Sequence, residues 1–235
     1  MQTVSESLYR KPETMKRILI ISGSPRKKGN CSILANALTT GLSQAFPDEM
    51  HIHNFSPVTH KIAACTGCEK CYKKGECVQN DDLNALVGAL EAADLLIWIS
   101  PLYFGGVPAQ LKAIIDRFQL IWARNVTSGE SHKTLFTNHK QHEKEQSGLP
   151  ADRSRPALAY YVSAKDNPFE TDTKKTAALL PLRYASNTAG FTLGLDQDSS
   201  YALIGPSNPG DLKAQEFKDS LEQAVQMAID KARTL

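Results

Sequence analysis

The sequence predicts an α/β fold: a three-layer sandwich whose five-stranded parallel sheet, in the order 2-1-3-4-5, carries helices on both faces. Short apolar runs alternate with helical periods along the chain, the signature of strand-helix-strand units. The runs are apolar at successive positions, as in strands buried on both faces. The turns that follow the first and third runs concentrate Gly, Pro and hydroxyl residues.

The first strand, residues 18–21, reads Ile-Leu-Ile-Ile, and the helix after Asn30 sets Ile33, Leu34, Ala37, Leu38 and Leu42 along one face. Residues 52–55 make the second strand. The next helix opens at Asp81 or Asp82, either of which can cap it, and spaces Leu83, Leu86, Val87 and Leu90 at the helical interval. The third strand, 95–99, holds Trp98 as a core residue and is ended by Pro101. Pro108 suits the first turn of the third helix, which runs through Leu111, Ile114, Ile115 and Phe118. A fourth strand at 158–162, a fourth helix at about 173–185 and a fifth strand at 191–195 follow, and the last helix presents Phe217, Leu221, Val225 and Ile229. This order is the flavodoxin-like arrangement, with its ligand crevice at the carboxyl ends of strands one and three.

With 235 residues, 41% of them hydrophobic, one enlarged domain at 16–235 is expected after a loose extension at 1–15, where Met15 offers an alternative start. Two long connections stand out: a cysteine loop at 56–80, and a polar insertion at about 119–155 that reads as a lid or a dimer contact. Net charge is +2 with both signs dispersed, so neither nucleic acid nor a membrane surface is an expected partner. The longest apolar stretch, 95–99, is far short of a membrane span, and no signal-peptide core opens the chain. Five cysteines, four in one loop, suit a reducing compartment, so a soluble cytoplasmic protein is expected and the Asn-x-Ser/Thr triplets carry no meaning.

The first turn reads Ser22-Gly23-Ser24-Pro25-Arg26-Lys27-Lys28-Gly29-Asn30-Cys31-Ser32 and opens directly into a helix. Hydroxyls and N–H groups at a helix start satisfy phosphate oxygens, and Arg26 adds a charge-assisted bond. Neither Gly-x-Gly-x-x-Gly nor the Walker pattern is present, so a monophosphate suits this turn better than a dinucleotide or triphosphate. An ordinary capped turn is the alternative. Cys31 stands where a hydroxyl would serve better, and a neutral thiol is expected there. The second turn, Pro101-Leu102-Tyr103-Phe104-Gly105-Gly106, offers two aromatics to a flat ring and two glycines that let backbone amides approach its edge. Tyr103 and Phe104 as plain packing residues are the alternative.

Cys65-x2-Cys68-x2-Cys71-x5-Cys77 brings four thiols into thirteen residues, with Gly67 and Gly75 easing the bend. Bacterial ferredoxins hold a [4Fe-4S] cluster with a similar run, although there the next Cys follows after three residues, precedes Pro and ligates a second cluster. No second run exists here, so Cys77 would complete the same cluster. Zinc, which more often uses two separated knuckles, and an empty or disulfide-forming loop stay open. His139-x2-His142 reads as two solvated residues, and His51 and His53 as structural.

The first turn, the cysteine loop followed by Asp81-Asp82, and the stretch from Pro101 to Lys112 together resemble the NADPH-dependent FMN reductase and iron-sulfur flavoprotein group of the flavodoxin-like superfamily. The resemblance covers 16–118 well and thins beyond, to 157–164 and the end of the chain. It implies that the first turn holds the FMN phosphate, the second the isoalloxazine, and Ser163-Ala164 the ring's other edge. It also implies a homodimer or homotetramer. The expected activity is FMN-dependent oxidoreduction, from NAD(P)H or a ferredoxin-like donor to a small acceptor such as a quinone or nitroaromatic, with the cluster passing single electrons. No side chain is needed as acid or base in this scheme, and no catalytic residue is named. A non-enzymatic electron carrier, a cluster-free reductase and a cysteine-based redox sensor are the rival readings.

Overall fold

The structure, a computed structural model, describes residues 15–127, 155–163, 172–194, 200–204 and 214–235. Its elements are β1 (Lys16–Ser22), α1 (Asn30–Ala45), β2 (Met50–Phe55), α2 (Lys70–Lys74), α3 (Leu83–Ala92), β3 (Leu95–Pro101), α4 (Ala109–Asp116), α5 (Gln119–Thr127), β4 (Arg155–Ser163), α6 (Asp172–Thr188), β5 (Phe191–Thr192), β6 (Ser200–Ile204) and α7 (Ala214–Ala232). The strands lie in the order β2-β1-β3-β4-β5, all parallel, as the alternating pattern predicts.

The fifth lane corrects the sequence reading in one respect. The strand expected at 191–195 pairs only as β5, against Arg155 and Pro156, and β6 takes up the same edge of β4 beside Ala159–Ser163. The lane is split because the polar run Asp196-Gln197-Asp198-Ser199 interrupts its apolar residues, and the short run 201–204 gave too weak a pattern to register as a strand. Two helices were also unforeseen. α2 lies within the cysteine loop, and α5 occupies the first residues assigned to the insertion. The remainder of that insertion, with His139 and His142, lies outside the described residues, as do Ala164 and the extension to residue 14.

Successive strand side chains point to opposite faces, and this divides the core in two. Leu19, Ile21, Phe55, Leu96, Trp98 and Tyr161 pack against α3, α4 and α6. Ile18, Ile20, Leu95, Ile97, Ile99 and Tyr160 pack against α1 and α7. The polar ends of the large core residues are bonded: Trp98 Nε1 donates to Ser186 Oγ (2.8 Å) and the Tyr160 hydroxyl to the Ala224 carbonyl (3.0 Å). Arg155 donates to the Leu90 and Ala93 carbonyls at the end of α3 and to the Ala189 carbonyl after α6, and its guanidinium lies 3.9 Å over the Phe191 ring. Cations suit helix carboxyl ends because the last carbonyls have no intrahelical partner. No helix among the described residues is long and apolar enough to cross a membrane.

Candidate functional site

The carboxyl ends of β1, β3 and β4 meet. The Gly23 N–H donates to the Ile99 carbonyl (2.7 Å), tying the first turn to β3, and the Leu102 N–H donates to the Val162 carbonyl (3.1 Å), tying the second turn to β4 beside Ser163. The hydroxyl-bearing residues Ser22, Ser24 and Ser163 are buried at this junction, at 8%, 5% and 7% exposure. Gly23 is needed for packing: a Cβ there would stand 2.6 Å from Leu111 Cβ of α4.

The first turn folds on itself. Ser24 Oγ accepts from the Arg26 N–H (3.2 Å), and Ser32 Oγ donates to the Arg26 carbonyl (3.1 Å), leaving the Arg26 side chain exposed. α1 then starts at Asn30 with Gly29 as its N-cap and no side-chain cap bond. A helix start without a side-chain cap suits an oxyanion, which can take the first-turn N–H groups. Cys31 is buried in the core beneath this turn, at 3% exposure. Burial pushes its thiol up to about 12, against the opposing effects of a hydrogen bond with Ser24 and the charge of Arg26. The thiol is therefore neutral.

The second turn is a two-residue hairpin. Tyr103 and Gly106 exchange both backbone hydrogen bonds at 3.0 Å, and Phe104 (φ 50°) and Gly105 (φ 79°) are left-handed, the pattern of a type I′ turn. Glycine adopts that conformation freely; phenylalanine does so at a cost of about 1–2 kcal/mol. Phe104 is nonetheless fully exposed and Tyr103 is 39% exposed, so neither is a packing residue of the described chain. Backbone strain combined with an exposed aromatic at the crevice is a feature of ligand-contact sites.

The four loop cysteines line one open cavity of about 270 Å³, together with Tyr72, Arg117, Gln119 and Leu120. Gly67 (φ 64°), Glu69 (φ 56°) and Gly75 (φ 65°) supply the left-handed bends that wrap the loop around it. Cys65 and Cys68 are exposed, and Cys71 and Cys77 half-buried. Among the described residues no three His, Cys, Asp or Glu side chains converge tightly enough for a single metal ion. The four sulfurs line a cavity wall: thiols are the donor type that an iron-sulfur group takes, but as arranged here they form no ready metal site.

This cavity is separate from the crevice of the two turns, and α4 joins them. Its amino end follows the hairpin, and its carboxyl end carries Arg117 into the cysteine wall. Eight residues of helix span about 12 Å. Motif reading took Asp81 only as a possible helix cap and as the end of the cysteine-loop motif, and missed its pairing with Arg117. The Arg117 and Asp81 side chains are 1% and 9% exposed and form a buried ion pair, with N–O distances of 2.5 and 3.1 Å. Asp81 also accepts from the N–H groups of Ala63 (3.0 Å) and Leu83 (3.2 Å), while the N-cap of α3 is Asp82, which makes no side-chain cap bond and accepts from the Lys61 N–H instead. Burial alone would raise the Asp81 carboxyl, but its bonds to Arg117 and the two N–H groups outweigh it and hold the carboxyl below the usual range. A signal was present: Arg117 stands three residues after Ile114 and beside Phe118, a cation on an apolar helix face.

These exposures give a direct chemical test. In metal-free protein at mildly alkaline pH, iodoacetamide is expected to label Cys65 and Cys68 first and Cys31 last, about a hundredfold or more slower, as followed by peptide mass spectrometry. Early labelling of Cys31 would mean that the α1 start opens readily.

A parallel 2-1-3-4-5 sheet with its ligand crevice between the first and third strands defines a flavodoxin-like domain. Residues 16–136 match the family model of NADPH-dependent FMN reductases, and the chain belongs to that family. Over 103 residues it is 43% identical to an iron-sulfur flavoprotein of Archaeoglobus fulgidus, covering 44% of this chain and 45% of that protein. Over 111 residues it is 38% identical to an iron-sulfur flavoprotein of Methanosarcina thermophila, covering 46% and 56%. The chain thus spans about half the length of the curated relatives it matches. Among solved structures, an azoreductase from Bacillus anthracis superimposes with a TM-score of 0.60 at 12% identity, over 92% of this chain and 100% of that one. An FMN-dependent NADH-azoreductase from the same species, solved in complex with FMN, gives 0.58 at 12% identity, over 91% and 98%. At such identities these likenesses speak for the fold.

Proposed function

We propose that the protein is an FMN-dependent oxidoreductase that takes electrons from NAD(P)H or a ferredoxin-like donor and delivers them to a small acceptor or a redox partner. The observation that carries this reading is the convergence of three strand ends on an α1 start with no side-chain cap, in a chain of this family. The first-turn N–H groups, with Ser22, Ser24, Arg26, Asn30 and Ser32, would bind the FMN phosphate. Pro101, Leu102, Tyr103, Phe104, Gly105 and Gly106 would orient the ring, with Ser163 and Ala164 at its other edge. FMN, when bound, supplies the chemistry that links two-electron and one-electron transfer. The aromatics of the hairpin would exclude water from one face of the ring, and backbone N–H groups near Gly105 and Gly106 would steady negative charge at its edge. Cys65, Cys68, Cys71 and Cys77 would hold a [4Fe-4S] cluster, and a homodimer or homotetramer would cover the exposed Phe104.

Anaerobic purification tests this directly, through the absorption spectrum, iron and sulfide analysis, and NADH or NADPH oxidation. Flavin bands, a broad iron-sulfur shoulder and about four irons per chain are expected on the ligand count. Flavin without iron would leave a cluster-free reductase. No flavin uptake would remove the proposal. Turnover with a reduced ferredoxin but with neither nicotinamide would make the protein an electron carrier.

The hairpin provides a sharper check. Phe104→Gly relieves the left-handed phenylalanine and is expected to stabilise the FMN-free protein by about 1 kcal/mol, read by urea denaturation. The same change is expected to weaken FMN binding several-fold by loss of ring contact, read by fluorescence quenching. Unchanged FMN affinity would remove Phe104 from the ring site.

A further inference from the structure

We infer that Arg117 is a positioning residue for the cysteine site: it clamps both ends of the cysteine loop to α4 and, through Cys77, raises the reduction potential of an iron-sulfur group held there. The second half rests on the cluster reading proposed above; the first does not.

Arg117 is the C-cap residue of α4, and its side chain is almost wholly buried. One guanidinium nitrogen donates to the Ala63 carbonyl (2.8 Å) and to Asp81 Oδ2; the other donates to Asp81 Oδ1 and to Cys77 Sγ (3.2 Å). Ala63 lies two residues before the first loop cysteine, Cys77 is the last, and Asp81 stands just beyond it. One side chain therefore holds the loop at entry and exit, and closing a loop at its ends removes much of its freedom. Two further ties act in between: Gln119 Nε2 donates to the Tyr72 hydroxyl (2.7 Å), and Arg124 Nε to the Gly75 carbonyl (2.7 Å).

Only a guanidinium can make this set of contacts. It presents five donors in a fixed plane, whereas an ammonium has three donors on one atom. A guanidinium is always protonated in a protein, so the Cys77 sulfur, half-buried at the cavity wall, faces an N–H donor at 3.2 Å. A hydrogen bond to a ligating thiolate stabilises the more negative, reduced state of the group it binds, which raises the potential. Asp81 cancels part of the cation's long-range field, so the effect comes through the direct N–H···S bond. That makes it specific to Cys77.

The test uses the full chain with Arg117→Lys and Arg117→Gln, and Arg124→Gln, which is off the cavity wall, as a control that loosens the loop at Gly75 without touching a thiol. In the metal-free arm, trypsin is expected to cut at Lys70, Lys73 or Lys74 about tenfold faster in both Arg117 variants, as loss of charged hydrogen bonds implies. In the iron-loaded arm, a spectroscopic redox titration is expected to give a lower potential in both variants and a wild-type potential in Arg124→Gln. Equal cleavage rates overturn the clamp; equal potentials, or an equal fall in Arg124→Gln, overturn the tuning role. Should wild-type protein take up no iron, the cluster reading and the tuning role fall together, while the clamp is still decided by the metal-free arm. Should both variants fail to fold, Arg117→Met with Asp81→Leu, which exchanges the buried pair for apolar side chains, carries the same two measurements.

Discussion

Replacing Asp81 with alanine is expected to cost about 3–5 kcal/mol of folding stability, because it strands a guanidinium that is 1% exposed without its carboxylate. The loss includes the bonds to the Leu83 and Ala63 N–H groups. Urea denaturation with an unchanged slope would measure it cleanly. Asp81→Asn keeps one oxygen and so an acceptor for one of the two N–H groups, which sit on different carboxylate oxygens; a smaller loss than in Asp81→Ala is expected, and its pH dependence isolates the contribution of the charge. The folded Asp81 carboxyl lies below its ordinary value, so its ionic contribution is complete above the unfolded value of about 3.9 and fades as pH falls through the lower folded value. The advantage of wild type over Asp81→Asn is therefore expected to shrink in acid below about pH 4. A constant gap across that range would mean that the carboxylate's charge contributes nothing.

Gly23→Ala is expected to destabilise the protein by about 1–3 kcal/mol and to weaken FMN binding, since the new methyl meets Leu111 Cβ and Cδ2 at 2.6 Å. A Cβ is fixed to the backbone, so α4 itself must shift, and α4 follows directly on the hairpin. The physical cause can be checked with a double-mutant cycle. Leu111 is fully buried, and Leu111→Gly removes its Cβ as well as its Cδ2; alone it opens a cavity and costs about 3–6 kcal/mol, the glycine adding about 1 kcal/mol of helix cost to that of a Leu→Ala change. If the clash is the cause, the pair of changes costs less than the sum of the singles by about 1 kcal/mol or more. Strict additivity would move the explanation elsewhere in the turn.

Most of the fold was legible because its signals are local. Buried parallel strands are apolar at successive positions, as in Leu95–Pro101, and the helices between them carry one apolar stripe each. The split fifth lane was not legible, because pairing along the edge of β4 is decided by register, which a four-residue apolar run does not specify. Within the first apolar helix, Ile33 was assigned to the buried face and turns outward at 45% exposure. That placement depends on where α7 lies across α1, and no local pattern contains it.

The site divides in the same way. Spacing alone picked out the two turns and the four cysteines, because a tight loop around a ligand needs glycines, hydroxyls and thiols at close intervals in the chain. The structure decided what those segments touch. It turned Cys31 into the core, made Phe104 the exposed tip of a strained hairpin, and gave the cysteines a cavity of their own at the far end of α4. It also supplied the Arg117–Asp81 pair, whose partners are 36 residues apart. An ion pair over that distance leaves no trace in periodicity or motif. It exists because α3, which Asp81 precedes, and α4, which Arg117 ends, lie on one face of the sheet, and a buried charge there requires its counter-charge within reach.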